Sequence, residues 1–425
     1  MFVEFNHGTP SDPFHNCDQL PFEKLFETTC ATRGQIVLYS TRLQTYQFRT
    51  WAFSVGIFGN AARLFRWDRA GAIVSEPIPY CEKGNHDLAE FFYRFDLMDR
   101  TQRGWDPTVF NATTEEAVAF DNAIGAAVRE PRNFLLKSLL RSVGDKDNYP
   151  RKRIELPTRD NEDVVVSYIV GRPITNAGSP IGRATRGFVA MSKDTGRLVF
   201  LKDSWRPDIE GVIGEAHWFR KLKGTRNVSA FLQGSDVGCV AVKRRGAPRG
   251  TGPPTSALQC TLTDLYSEDY SGIQGMGGYV HYRTVQCELY VPLNRFKDSR
   301  HLTQIIHDII VGTIPLSLVD FPTTEFPLAM QDLYDRGIVH QANIMITVNG
   351  EGRLIDLDLA RDVNARRSGQ VVSCHTFEST PEPQTNLSLH IKGHMAIYVN
   401  PVTHLAWKGP RTVRRSGITL VCPPL

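Results

Sequence analysis

A pattern of small residues lies between two strand-like segments of this 425-residue chain. Residues 182–187 read GRATRG, with Gly182, Ala184 and Gly187 at the small positions of a G-x-A-x-x-G loop. Small side chains let backbone N–H groups approach the oxygens of a phosphate. Since ordinary hairpin turns show the same pattern, the loop by itself is weak evidence for a phosphate site.

Two charged residues follow this loop. Lys202 ends the apolar strand-like segment VFLKD, fifteen residues after Gly187. Glu215 lies in GEAHWFRKL, a segment with the apolar face of a helix, and Glu210 is the alternative glutamate. A lysine at a strand end usually extends into solvent, and a helix glutamate is as often a solvated surface charge. Each residue alone therefore also has a purely structural explanation.

The segments HQAN (340–343) and LIDLDLA (354–360) contain the last pair of candidate residues. Asp356 ends an apolar strand-like segment, and Asn343 lies thirteen residues before it, ahead of the short strand IMI. The order of glycine loop, lysine, glutamate, asparagine and aspartate is much more specific than any one of these features. This order resembles the set of motifs of protein kinases.

The chain is identified as a member of the fungal-type protein kinase family, over about residues 35–366. The resemblance is carried by the following segments: 46–74, FFYRF (91–95), RGWDPTV (103–109), GRATRG (182–187), LKDSWRP (201–207), YVPLNRFKD (290–298), GIVH (337–340), NIMI (343–346) and RLIDLDLA (353–360). The family implies an α+β, bilobal kinase-like fold and Mg²⁺-dependent transfer of the γ-phosphoryl group of ATP to Ser or Thr of a protein substrate.

The resemblance also implies a role for each candidate residue. The loop of Gly182, Ala184 and Gly187 covers the phosphates of ATP. Lys202 pairs with the α- and β-phosphates and is held by Glu215. The magnesium ligands are Asn343 and Asp356.

The catalytic loop departs from the family pattern. Kinases have H-R-D-x-x-x-x-N, in which the Asp accepts the proton of the substrate hydroxyl. Here His340 and Asn343 are three positions apart, with only Gln341 and Ala342 between them. The four missing residues include the catalytic Asp and remove up to about 13 Å of chain reach. Asp335 lies before His340 and is not expected to substitute, so we expect no efficient catalysis.

Composition restricts the other classes of function. The net charge of +4 is too small to indicate a nucleic-acid-binding protein. No apolar run is long enough to cross a membrane, and no secretory signal is expected because the first thirty residues lack a basic start followed by an apolar stretch. Eight scattered cysteines without metal-site spacing are read as reduced thiols, so a cytoplasmic or nuclear location is expected.

The length predicts roughly two to three domains. A poorly ordered N-terminus (1–34) is expected to precede a family-specific α+β block (35–143), with a polar linker at 144–153. A β-rich N-lobe with its hinge (155–292) and the start of a helical C-lobe (293–366) follow. Only 67 residues come after Asp358, and residues 367–425 are read as a divergent basic tail that does not complete a helical lobe.

Four interpretations therefore remain open. The chain is a pseudokinase that still binds Mg-ATP, an active Ser/Thr kinase, or a degenerate member without a nucleotide site. The fourth interpretation is a nucleic-acid-associated binder that uses the basic loop 243–257 and the basic tail. Such basic clusters are more often solvated surface or localisation signals, so nucleic acid is an unlikely partner.

Overall fold

Two β-sheets, of four and seven strands, dominate the part of the chain that the computed structural model describes. The structure describes residues 1–6, 11–16, 20, 22–129, 136–157, 165–208, 212–223, 228–238, 258–263, 278–311, 338–339, 343–355, 357 and 361–362. The predicted tail at 367–425 and the basic loop at 243–257 lie outside these residues.

The four-stranded sheet is formed by β1 (Phe2–Asn6), β2 (Ala52–Phe58), β3 (Ala61–Asp68) and β4 (Gly71–Val74), in that spatial order. β1 is parallel to β2, and the other pairs are antiparallel. Helix α1 (Glu27–Gln47) covers one face and helix α2 (Asp87–Leu97) covers the other. Since both faces are covered, every residue of β2 is buried.

The N-terminal region differs from the sequence-based expectation. β1 and the first turns of α1 lie within the segment 1–34, which the sequence predicts to be poorly ordered. Among the apolar side chains of α1, only Ile36 is on its buried face. Tyr46 is exposed, and most of the buried side chains of the helix are polar or charged.

The seven-stranded sheet is antiparallel throughout. Its strands are β5 (Val109–Asn111), β6 (Lys152–Pro157), β7 (Val165–Val170), β8 (Arg186–Ser192), β9 (Leu198–Pro207), β10 (Phe231–Asp236) and β11 (Tyr279–Gln286). Their spatial order is β10-β11-β9-β8-β7-β6-β5. The interior strand β9, which pairs with β11 and β8, carries Lys202.

The helices between β5 and β6 join the predicted N-terminal block to this sheet. α3 (Thr114–Val128) begins with a capping box, in which the Thr113 side chain and the Glu116 side chain each bind the other residue's backbone N–H. α3 and α4 (Leu136–Val143) pack against β7 and β8. One sheet and one core therefore continue across the boundary that the sequence predicts, between a block ending at 143 and a lobe beginning at 155.

A smaller sheet begins at the end of the segment predicted as N-lobe and hinge (155–292). It contains β12 (Tyr290–Pro292), β14 (Asn343–Thr347) and β15 (Gly352–Ile355), with helix α6 (Ser299–Val311) packed against β15. Helix α5 (Glu215–Lys221) precedes β10, and two short strands, β13 (Ile338–Val339) and β16 (Arg361–Asp362), pair with each other. The predicted α+β class is confirmed.

Gly171 provides a test of the contact between α4 and the end of β7. A Cβ at this position would clash with the carbonyl oxygen of Ser142 in α4, which accepts a hydrogen bond from Arg172 N–H. We expect Gly171→Ala to lower the free energy of unfolding by about 1–3 kcal/mol because the helix must shift. Urea unfolding monitored by circular dichroism measures this change.

Gly125→Ala is the matched control for this prediction. Gly125 lies inside α3, and a Cβ there meets no atom within 4 Å. Alanine is the better helix former, so this variant should gain up to about 1 kcal/mol in unfolding free energy. Equal effects of the two substitutions would contradict the packing described here.

Candidate functional site

Lys202 and Glu215 form a buried ion pair between β9 and the first turn of α5. The Lys202 Nζ atom lies 3.3 Å from Glu215 Oε2 and 3.5 Å from Oε1. The two residues are only 5% and 1% exposed. A charge removed from water needs a compensating partner, and this pair supplies one for each group. The structure thus brings together the lysine and the glutamate that the sequence predicts, while Glu210 lies outside the described residues.

The start of α5 explains how Glu215 is positioned. Gly214 precedes the helix, and a Cβ at this residue would clash with the ring of Tyr282 on β11. The Tyr282 hydroxyl accepts a hydrogen bond of 2.9 Å from the backbone N–H of Ala216. Trp218 and Phe219 then bury the apolar face of the helix. These contacts direct the carboxylate of Glu215 toward the sheet.

The Glu215 carboxylate also accepts hydrogen bonds from two further elements. The hydroxyl of Thr284, which is the β11 residue directly opposite Lys202, donates to Oε2 at 3.3 Å. The backbone N–H of Leu357 donates to Oε1 at 2.9 Å. One carboxylate therefore links β9, β11 and the segment that follows β15. The local sequence pattern did not identify Thr284 or Leu357, because both contacts depend on long-range pairing.

Of the two predicted magnesium ligands, the structure describes only the backbone of Asn343, which lies at one end of the small sheet. Asn343 is the first residue of β14, and its backbone lies opposite Ile355, the last residue of β15. Asp356 directly follows Ile355, and Leu357 comes next, fully buried under α5. Asp356, the side chain of Asn343 and residues 340–342 lie outside the described part of the chain.

The glycine loop differs in extent from its sequence-based prediction. The connection between β7 and β8 spans 171–185 and contains Gly182 and Ala184, both with positive φ angles (85° and 42°). Gly187 is instead a residue of β8 and lies opposite Lys202. A Cβ at Gly187 would crowd the Thr175 hydroxyl and the Phe200 ring. The loop predicted at 182–187 thus begins too late, because the connection starts at residue 171. It also ends too late, because Gly187 already belongs to β8.

The tip of this connection is concave. Residues between Asn176 and Thr185 line a cavity of about 400 Å³ that is open to solvent. At Gly182 a Cβ would meet no atom within 4 Å, so the glycine leaves open space beside its backbone. Its positive φ angle also favours glycine at this position.

An apolar cluster adjoins the ion pair on the same side of β9. Phe200 lies two residues before Lys202 and therefore faces the same side of the sheet. It packs with Tyr290 of β12 and Ile355 of β15, and the Phe200 and Tyr290 rings meet edge to face at 6.2 Å. This cluster joins the seven-stranded sheet to the small sheet. Charged groups beside an apolar wall are a combination typical of ligand sites.

The opposite face of β9 holds a second buried charge cluster. Asp203 contacts Arg186, Arg283 and His281 from the neighbouring strands, and Asp106 contacts Arg283 from the N-terminal block. Burial alone would raise the pKa of Asp203, but the two arginines hold this pKa well below its usual value. Burial lowers the pKa of His281.

Metal sites, membrane-spanning helices and disulfides are absent from the residues that the structure describes. These residues contain no group of three or more His, Cys, Asp or Glu placed to hold a metal ion. Among the helices described, none has the length and apolar character needed to cross a membrane. The four cysteines in these ranges form no disulfide.

The Lys202–Glu215 pair can be tested by a double-mutant cycle. Glu215→Gln leaves a buried ammonium without a counter-charge, so we expect unfolding free energy to fall by about 3–5 kcal/mol. The double variant with Glu215→Gln and Lys202→Met should lose less unfolding free energy than the sum of the two single losses. The expected coupling energy is about 1–3 kcal/mol. Urea unfolding measures all four corners of the cycle.

The exposed pair of Glu90 and Arg94 on α2 is the control. Since both side chains are well solvated, Glu90→Gln should change unfolding free energy by less than about 1 kcal/mol. If Glu215→Gln costs no more than Glu90→Gln, the Lys202–Glu215 pair does not hold α5 to β9.

Comparisons with known proteins assign the family. The family model described as fungal protein kinase matches residues 27–316. A comparison with curated proteins gives no match. Among solved structures, the chain is similar to the ROP18 kinase domain in complex with AMP-PNP and sucrose, with 11% identity and a TM-score of 0.27, over 60% of this chain and 69% of that chain. The extent of the family match shows that the chain belongs to the fungal protein kinase family.

Proposed function

We propose that this kinase-like protein binds Mg-ATP but has lost efficient phosphoryl transfer, and that it acts as a pseudokinase. The observation that carries the proposal is the buried Lys202–Glu215 ion pair, which is hydrogen-bonded to the segment just after Asp356. Active kinases require such a pair in place beside their magnesium-binding aspartate. The sequence between His340 and Asn343 lacks the residue that would receive the substrate proton.

Each part of the proposed nucleotide site has chemistry suited to its role. Lys202 supplies a positive charge for the α- and β-phosphates, and Glu215 fixes its position. The connection containing Gly182 and Ala184 supplies backbone N–H groups, and Gly187 keeps the strand beneath free of a side chain. The apolar wall that includes Phe200 suits a purine base. These features support ATP over a small anion as the ligand.

The proposed magnesium ligands are Asn343 and Asp356. Amide and carboxylate oxygens are hard donors of the kind that Mg²⁺ prefers. The assignment is supported by the pairing of Asn343 with Ile355, because Asp356 follows Ile355 directly in the sequence. When bound, magnesium would offset the negative charge of the phosphates.

The shortened catalytic loop argues against turnover. Phosphoryl transfer depends on positioning the hydroxyl nucleophile against the phosphate, and the catalytic Asp provides that orientation. Without it, the chain keeps the groups that bind ATP and loses the group that orients a protein substrate. An active Ser/Thr kinase is the second candidate, favoured by the same intact ion pair.

A pseudokinase role implies a protein partner whose binding responds to nucleotide. ATP that binds one conformation better than another shifts the population toward that conformation. We therefore propose a scaffold or regulatory role in the cytoplasm or nucleus, with a protein rather than a nucleic acid or a membrane as partner.

Thermal unfolding with and without Mg-ATP tests the proposal. Nucleotide at a hundred times its dissociation constant stabilises the folded state by about 2.7 kcal/mol. The midpoint of the wild-type chain should therefore rise by several degrees, and the rise should require magnesium. The Lys202→Met variant should remain folded, because Glu215 keeps its hydrogen bonds from Thr284 and Leu357. Its unfolding midpoint should not rise when Mg-ATP is added.

Two results would contradict parts of this proposal. Equal shifts in the wild type and in Lys202→Met would mean that ATP binds elsewhere. Transfer of labelled phosphate to a protein by the wild type, but not by Lys202→Met, would assign an active kinase instead of a pseudokinase.

A further inference from the structure

The turn between β3 and β4 is buried, although turns usually lie on the surface. Asp68, Arg69 and Ala70 are 1%, 3% and 0% exposed. The turn belongs to the N-terminal four-stranded sheet, to which no role in nucleotide binding has been assigned. Its burial means that other parts of the chain cover it, and the contacts of Arg69 identify one of them.

Arg69 binds the β7–β8 connection through its side chain and its backbone. Its guanidinium Nη1 donates a hydrogen bond of 2.9 Å to the carbonyl oxygen of Pro180. Its own carbonyl oxygen accepts a hydrogen bond of 2.8 Å from the N–H of Gly182. These two bonds fix the residues on either side of Ile181, Pro180 and Gly182. Ile181 lines the concave tip of the connection.

A third hydrogen bond attaches the same stretch to β9. The carbonyl oxygen of Arg183 accepts a hydrogen bond of 2.8 Å from the N–H of Trp205, three residues after Lys202. The Arg69 guanidinium also lies over the Trp205 ring at 5.9 Å. Residues 180–183 are therefore fixed between the N-terminal turn and the strand that carries Lys202.

Arg69 keeps its positive charge in this environment. Burial, with a further contribution from the nearby charge of Arg186, lowers the pKa of Arg69 to about 9. This value still leaves the guanidinium protonated at neutral pH. A charged donor makes a stronger hydrogen bond to a carbonyl than a neutral one. The Arg69–Pro180 contact is thus suited to holding a loop whose backbone is otherwise strained at Ala184 (φ 42°).

We propose that Arg69 is a positioning residue, through which the N-terminal block fixes the phosphate-binding connection between β7 and β8. The block then sets the affinity for the phosphate part of a nucleotide without touching the nucleotide. This inference rests on the proposed binding of ATP. It gives the N-terminal block a function within the site and explains why the chain buries a charged turn there.

Affinities for Mg-ATP and for adenosine separate positioning from general stability. Without the side-chain bond to Pro180, Arg69→Ala should bind Mg-ATP about tenfold more weakly, as the net value of one such bond implies. Its affinity for adenosine, which has no phosphate, should stay within about twofold. Arg69→Lys retains a charged donor and should recover part of the ATP affinity. Titration calorimetry measures these constants.

Arg63→Met is the matched control. Arg63 lies on β3, the strand that leads into the turn of Arg69, and is also buried. It binds Asp12, Asn16 and the Ser75 carbonyl, all outside the β7–β8 connection. The control variant should lower stability without changing the ratio of ATP to adenosine affinity. A control that lowers this ratio as much as Arg69→Ala would overturn the assignment to Arg69.

Hydrogen exchange of the ligand-free chain provides a readout that does not depend on ATP. The amide hydrogens of residues 176–185 should exchange faster in Arg69→Ala than in Arg63→Met when the two variants are measured under conditions of equal global stability. If wild type binds no ATP, the proposed function fails and this comparison alone decides the positioning role. Unchanged exchange in 176–185, or ATP affinity equal to wild type in a folded Arg69→Ala, overturns the inference.

Discussion

The structure depends on one constraint in β9, where two successive charged residues are buried on opposite faces of the sheet. Lys202 pairs with Glu215 on one side, and Asp203 pairs with Arg186 and Arg283 on the other. Because neighbouring strand residues alternate in direction, the strand cannot slip by one position without exchanging these charges. Buried charges that lose their partners are costly, so this pairing fixes the register of the central strands.

The same constraint explains why the N-terminal block is part of the kinase-like fold. Asp106, from the segment before β5, contacts Arg283 in the cluster around Asp203, and β5 extends the seven-stranded sheet. The turn carrying Arg69 packs behind the β7–β8 connection. On the side of β9 away from Lys202, the block thus adds Asp106 to a charge cluster whose other members lie on β8, β9 and β11. The fungal family match begins at residue 27 and includes this region, in agreement with a single folded unit.

The sequence predicts the parts of the site that depend on local patterns. Lys202 ends an apolar strand and Glu215 begins an amphipathic helix, so short-range periodicity and their order along the chain identify both residues. Contacts made across the sheet leave no such pattern. Thr284 meets Glu215 only because β11 pairs with β9, and Arg69 meets Pro180 across more than a hundred positions of sequence. Gly187 fits the loop pattern in the sequence but belongs to β8, because strand pairing, and not residue type, decides where that strand begins.

The most direct test of the central claim is a crystal structure of the full chain with a non-hydrolysable ATP analogue and magnesium. We expect phosphate oxygens within hydrogen-bond distance of the Lys202 Nζ atom while the Lys202–Glu215 pair stays intact. The phosphates should also contact backbone N–H groups of residues 176–185. A nucleotide bound away from Lys202, or no bound nucleotide at saturating analogue, would contradict this claim.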